Sequence, residues 1–134
     1  MRCYGLANLA YALTCQGEDA AALTAARDGL STAEKTGHRQ WEAELKRLEG
    51  IALSGLNSLE EAQNAFAVAL RIARKQQARA FELRAAMSLA RLWRDQGKRD
   101  EARELLAPVY GWFTEGFDTL DLKEAKALLD ELAS

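Results

Sequence analysis

The stretch Ala90-Arg91-Leu92-Trp93-Arg94-Asp95-Gln96-Gly97-Lys98-Arg99-Asp100-Glu101-Ala102-Arg103-Glu104-Leu105-Leu106-Ala107-Pro108-Val109 decides the fold. Two runs of good helix formers flank Gly97, a residue that stops one helix and lets the next turn back. Sliding the chain by 40 residues lays Ala90 on Gly50 and Ala10, Trp93 on Leu53 and Leu13, Ala102 on Ala62 and Ala22, and Leu106 on Phe66 and Ala26. Self-similarity at that length marks a stacked helical-hairpin solenoid, in which each unit buries its apolar face only against its neighbours. The expected fold is all-α, with three antiparallel hairpins over about 2–37, 38–77 and 78–115 and a capping helix over about 120–132. All of 1–134 then forms a single domain.

Working outward, the first hairpin pairs 2–16 with 18–35 around Gly17. The second pairs 38–54 with 58–76 around Gly55-Leu56-Asn57, and the third pairs 79–96 with 99–114 around Gly97. Inward residues recur at helical spacing: Leu6, Leu9, Ala10 and Leu13, then Ala22, Ala26, Leu30 and Ala33. Ser58 with Glu61 spells a capping box. Pro108 is expected to kink its helix, because it lacks the N–H of one ladder bond and crowds the preceding turn. The final helix, capped by Asp118 or Thr119, carries the apolar stripe Leu122, Ala125, Leu128, Leu129 and Leu132. Its outer face is read as Lys123, Glu124, Lys126, Asp130 and Glu131, the polar side that a terminal cap requires. Trp41-Glu42 and Phe81-Glu82 stand at equivalent places, and Met1-Arg2 is their counterpart. The first hairpin therefore begins partway through its own helix, and the chain is expected to be a piece of a longer protein, with its solenoid open at the amino end.

Composition narrows the function. With 18 basic and 20 acidic residues among 134, the formal net charge is −2, so a charged partner has to meet a local patch rather than a global field. Cys3 and Cys15 lie about 18 Å apart along one helix, beyond disulfide reach, which suits a reduced, cytoplasmic setting. No signal-peptide pattern and no apolar run of about 18 residues is present, so no membrane association is expected. The two cysteines read as buried apolar thiols, since neither CxxC nor histidine clustering exists. His38, the single histidine, reads as a solvated or capping residue. Glu60-Glu61 and Asp100-Glu101 open helices, where carboxylates suit the positive end of the dipole. Gly97-Lys98 lacks the remaining residues of a phosphate-binding loop. No catalytic residue, metal or cofactor is expected, and the chain reads as a non-enzyme.

The order of a small residue, an aromatic, a turn glycine, a small residue and two apolar positions in Ala90, Trp93, Gly97, Ala102, Leu106 and Val109 resembles the tetratricopeptide repeat (TPR). Gly50, Leu53, Asn57, Ala62, Phe66 and Ala69 follow the same order, as do Ala10, Leu13, Gly17, Ala22, Ala26 and Gly29. The period of 40 instead of 34, Asn57 in place of a turn glycine, and no proline closing each unit are departures. The stretches 83–93 and 105–119 further resemble the carboxy-terminal repeat tail of large bacterial signalling proteins with adenylate/guanylate-cyclase-type or ATPase modules. These resemblances imply a right-handed TPR-like solenoid acting as a sensory or scaffolding tail that binds a protein or peptide in its concave groove. Any cyclase or ATPase activity would reside in domains absent from this chain. The alternative is a regulatory domain that senses a small ligand.

The resemblance also implies which positions face the groove: Tyr4, Ala7 and Tyr11, then Glu44, Arg47 and Ile51, then Arg84, Met87, Arg91 and Arg94. Four arginines among ten positions suggest a ligand bearing acidic groups, with the tyrosines as apolar walls. The other reading makes the arginines a solvated face paired with Glu82 and Asp95. The asparagine of a peptide-carboxylate clamp is absent, with Tyr11, Ile51 and Arg91 in its place. Nucleic acid ranks last, because no stacking aromatics interleave the arginines. Tyr110, Trp112, Phe113 and Phe117 form either a core staple between the last two helices or an exposed docking patch. Pairing of two copies through the open amino end is a further expectation.

Overall fold

The structure, a computed structural model, describes residues 18–37, 41–113 and 119–133. The helix expected at 2–16, with Cys3, Tyr4, Ala7, Tyr11 and Cys15, lies outside the described residues, as do His38 and Phe117. Six α-helices follow in order: α1 (Asp19–Thr36), α2 (Glu42–Gly55), α3 (Leu59–Lys75), α4 (Arg79–Asp95), α5 (Arg99–Gly111) and α6 (Leu120–Ala133). No strand occurs among the described residues.

The turns repeat at half the period seen in the sequence. Gly37, Asn57, Gln77 and Gly97, each 20 residues after the last, adopt left-handed backbone with φ of 76°, 64°, 56° and 83°. At three of these turns the next N–H closes back on the helix: Ser58 donates to the Leu53 carbonyl at 2.8 Å, Ala78 to Ala73 at 2.9 Å, and Lys98 to Trp93 at 2.8 Å. This bond satisfies a carbonyl that the helix end leaves orphaned. Ser58 does precede α3, but its hydroxyl makes no capping hydrogen bond, so the expected capping box is not formed. Its ψ of 66°, dictated by the turn, is well short of the extended value a capping side chain needs. α5 continues through the exposed Pro108 and closes at Gly111, short of the expected 114. Glu104, whose carbonyl loses its partner there, is also exposed, so water can take the place of the missing N–H.

Each helix packs on its neighbours in the chain, and α4 also touches both α2 and α6. The alternate helices α1, α3 and α5 make no such contact with one another among the described residues. α2, α4 and α6 therefore crowd on the inner side of the curve and α1, α3 and α5 fan out on the other. Close approach within a hairpin relies on small residues. A Cβ added to Gly50 would come within 2.6 Å of the Phe66 ring, which lies flush against the α2 backbone. In the next hairpin the equivalent pair is Ala90 with Leu106, both fully buried. Two of the apolar clusters among the described residues differ in size. Ala25, Ala26, Leu45 and Leu48 form a small cluster between α1 and α2, whereas Leu83, Met87, Leu106, Leu122, Leu128 and Leu132 belong to a larger one spanning α3–α6.

Candidate functional site: the inner helical layer

The inner layer is held by ion pairs that run from helix to helix. Glu44 on α2, 7% exposed, accepts from Arg47 Nε at 3.0 Å, and its other oxygen lies 3.6 Å from Arg84 on α4. Arg47 also donates to Ser88 Oγ at 3.4 Å. Toward α6, Arg84 donates to Asp121 at 2.9 Å, Arg94 to Glu131 at 3.0 Å, and Arg91 stands 3.6 Å from Glu124. Burial opposes the charge on Arg84, but the hydrogen bond it donates to Asp121 and the fields of Glu44 and Asp121 outweigh it and raise its pKa. Arg94 is raised in the same way, burial being offset by Asp95 and Glu131. Near the amino ends of α2 and α4, Trp41 and Phe81 occupy the same repeat position and meet with ring centroids 5.7 Å apart.

The residues expected to face a groove thus divide. Arg84, Arg91 and Arg94 lie along one edge of α4 with partly exposed guanidinium groups. Arg47 is enclosed with Glu44, Met87 is 2% exposed within the core, and Ile51 is half-buried. Arg94 does pair with Asp95, at 3.1 Å, but Glu82 turns the other way and binds Arg74 and Arg79. Glu124 and Glu131, read as outer-face residues of α6, point instead at α4, so the outward face keeps Lys123, Lys126 and Asp130. The sequence carried a signal for this ladder: Arg84 and Arg91 are seven apart, and so are Glu124 and Glu131. Side chains at such a spacing share one helix face.

Between α2 and α4 the inner layer opens into a cleft of about 260 Å³. Phe66, Leu92 and Ile51 supply its apolar wall, while Arg91, Asp95 and Ser88 supply polar groups. The aromatic group at the end of α5 splits between its two readings. Tyr110 and Phe113 pack on the core, whereas Trp112 is 62% exposed with the Arg79 guanidinium 4.2 Å above its ring. Among the described residues no cluster of acidic, histidine or cysteine side chains could hold a metal, and no helix is long and apolar enough to cross a membrane.

Comparison with known families adds one match: the tetratricopeptide repeat family model aligns with residues 5–36 and 83–110. The second stretch covers most of α4 and α5 and contains the Ala90, Trp93, Gly97, Ala102 and Leu106 series. The middle hairpin, between the two matches, packs in the same way through Gly50 and Phe66. Family match and helix packing together make the chain a TPR-like helical repeat solenoid. No curated protein and no solved structure matches it.

Proposed function

We propose that this chain is a non-enzymatic protein-interaction module whose inner layer captures a peptide or partner segment bearing carboxylates. The observation that carries the reading is the row Arg84, Arg91 and Arg94, already engaged by carboxylates of a neighbouring helix. α6 presents Asp121, Glu124 and Glu131 to that row, which is what an acidic ligand would do. Exposed ion pairs of this kind are each worth about 0–1 kcal/mol, so a ligand carboxylate can replace Glu124 or Glu131 at little cost. Arg91 and Arg94 are the proposed anchors, with Ile51 beside them and Tyr4 and Tyr11 as apolar walls. Glu44, Arg47 and Met87, which are enclosed, hold the inner helices together instead. The likeness to bacterial regulator tails supports a sensory or scaffolding setting in the cytoplasm.

A library of extended acidic peptides, titrated by fluorescence anisotropy, tests the proposal. Arg91→Ala with Arg94→Ala should weaken capture at least tenfold, and the wild-type affinity should fall with salt as screening shortens the reach of the charges. Binding that the double variant and salt both leave unchanged would remove the arginine row from the function.

A further inference from the structure

The cleft between α2 and α4 shares Arg91 and Ile51 with the proposed peptide groove and adds Asp95, Phe66 and Leu92, which acidic-peptide capture does not use. Its volume of about 260 Å³ equals on the order of nine waters at their liquid volume, room for one small molecule and below the usual range for drug-sized ligands. Phe66 and Leu92 are buried and Ile51 half-buried, so the wall is apolar. At its mouth stand one positive and one negative side chain, Arg91 and Asp95, a helical turn apart on α4. Although i,i+4 neighbours of opposite sign face each other on a helix, these two are not paired with one another. Arg91 turns to Glu124 at 3.6 Å and Asp95 to Arg94 at 3.1 Å, with Arg91, Glu124 and Asp95 substantially exposed and Arg94 partly so. Both contacts are exchangeable surface pairs. A purely anionic ligand would gain from Arg91 and be repelled by Asp95, whereas a zwitterion uses both.

We infer that this cleft binds a free apolar α-amino acid, with its carboxylate on Arg91, its ammonium on Asp95 and its side chain against Phe66, Leu92 and Ile51. Charge-assisted hydrogen bonds at two points fix the backbone of the ligand, and the apolar wall selects the side chain. Ser88, whose hydroxyl accepts from Arg47, lies on the α4 side of the same cleft and offers a further polar contact.

The test titrates the intact chain with L-leucine and L-phenylalanine, by calorimetry and by thermal shift, against glycine, N-acetyl-L-leucine and L-leucinamide. A native-state ligand raises apparent stability by mass action. One of the two apolar amino acids should give a saturable shift at millimolar concentration. Removing its ammonium or its carboxylate should weaken binding at least tenfold, and glycine should give none. Arg91→Gln should abolish the preference for leucine over leucinamide, and Asp95→Asn the preference over N-acetyl-leucine. Saturable binding of neither amino acid, or binding of the N-acetylated or amidated form as tight as that of L-leucine itself, would overturn the inference. These probes carry no acidic side chain, so the result is separable from acidic-peptide capture.

Discussion

At the scale of single residues, Gly50 shows how composition becomes geometry. Glycine inside a helix ordinarily costs about 1 kcal/mol relative to alanine, so Gly50→Ala on an open surface would stabilise. Here the added methyl meets the Phe66 ring at 2.6 Å, and the ring is 3% exposed, so it has to shift within the interior. Overpacking of a buried site costs roughly 1–3 kcal/mol, which outweighs the propensity gain. Gly50→Ala should therefore lower the urea midpoint, and adding Phe66→Leu, the pairing that Ala90 and Leu106 already use, should restore part of the loss. Additive effects in that double-mutant cycle would show that the two positions do not touch. The turns give a second residue-scale prediction. Gln77 has φ 56° without the local hydrogen-bonding side chain that makes such backbone tolerable for asparagine. Gln77→Gly should raise stability by about 0.5–1 kcal/mol in the same assay, and Asn57→Gly by less.

At the scale of elements, the charges between helices form a ranked series. Glu44 and Arg47 are almost enclosed, with side chains 9% and 12% exposed, so removing Arg47 leaves a buried carboxylate with only the longer contact to Arg84, at 3.6 Å. Loss of one partner of a buried pair costs about 3–5 kcal/mol, whereas an exposed pair contributes about 0–1. Arg47→Ala should cost roughly 3 kcal/mol, Arg91→Ala under about 1, with Arg84→Ala between them, read from denaturant midpoints. Salt should narrow the Arg91 effect and leave the Arg47 effect standing, because only the exposed pair is screened. The raised pKa of Arg84 and Arg94 stabilises the fold fully below their unfolded values, and that contribution is lost only as pH climbs through the still higher folded ones. Both lie far into alkali, so the guanidinium side of the ladder adds no pH dependence near neutrality. The helices themselves were legible in the sequence, because Gly37, Gly97 and the small-to-large alternation are local signals. The seven-residue spacing shows which charges share a helix face but not what they meet, because whether Arg84 meets a ligand or Asp121 depends on how α6 lies against α4, a contact 37 residues away. Gln77 escaped notice for a related reason: its left-handed backbone is imposed by the spacing of the turns and not by its own preference.

At the scale of the whole molecule, only nearby helices touch among the described residues, so stability is a sum of local interfaces and the weakest one opens first. α1 buries Ala22, Ala25, Ala26, Gly29 and Ala33, side chains that remove little apolar surface from water. α4 buries Leu83, Met87, Leu89 and Leu92, packs on α2, α3, α5 and α6, and contributes to two core clusters among the described residues, one with Leu106 and Leu122 and one with Leu53 and Phe66. At about 1.5–3 kcal/mol for each fully buried large apolar side chain, the difference between these helices exceeds what a few exposed ion pairs can offset. Native-state hydrogen exchange should then show α4 amides exchanging only through global unfolding and α1 amides through a smaller opening of lower free energy. A ligand that bridges α2 and α4 would steepen this gradient, since it adds free energy to an interface that α1 does not share. Exchange in α1 as slow as in α4, with both following one denaturant dependence, would show instead that the stack unfolds as a single unit.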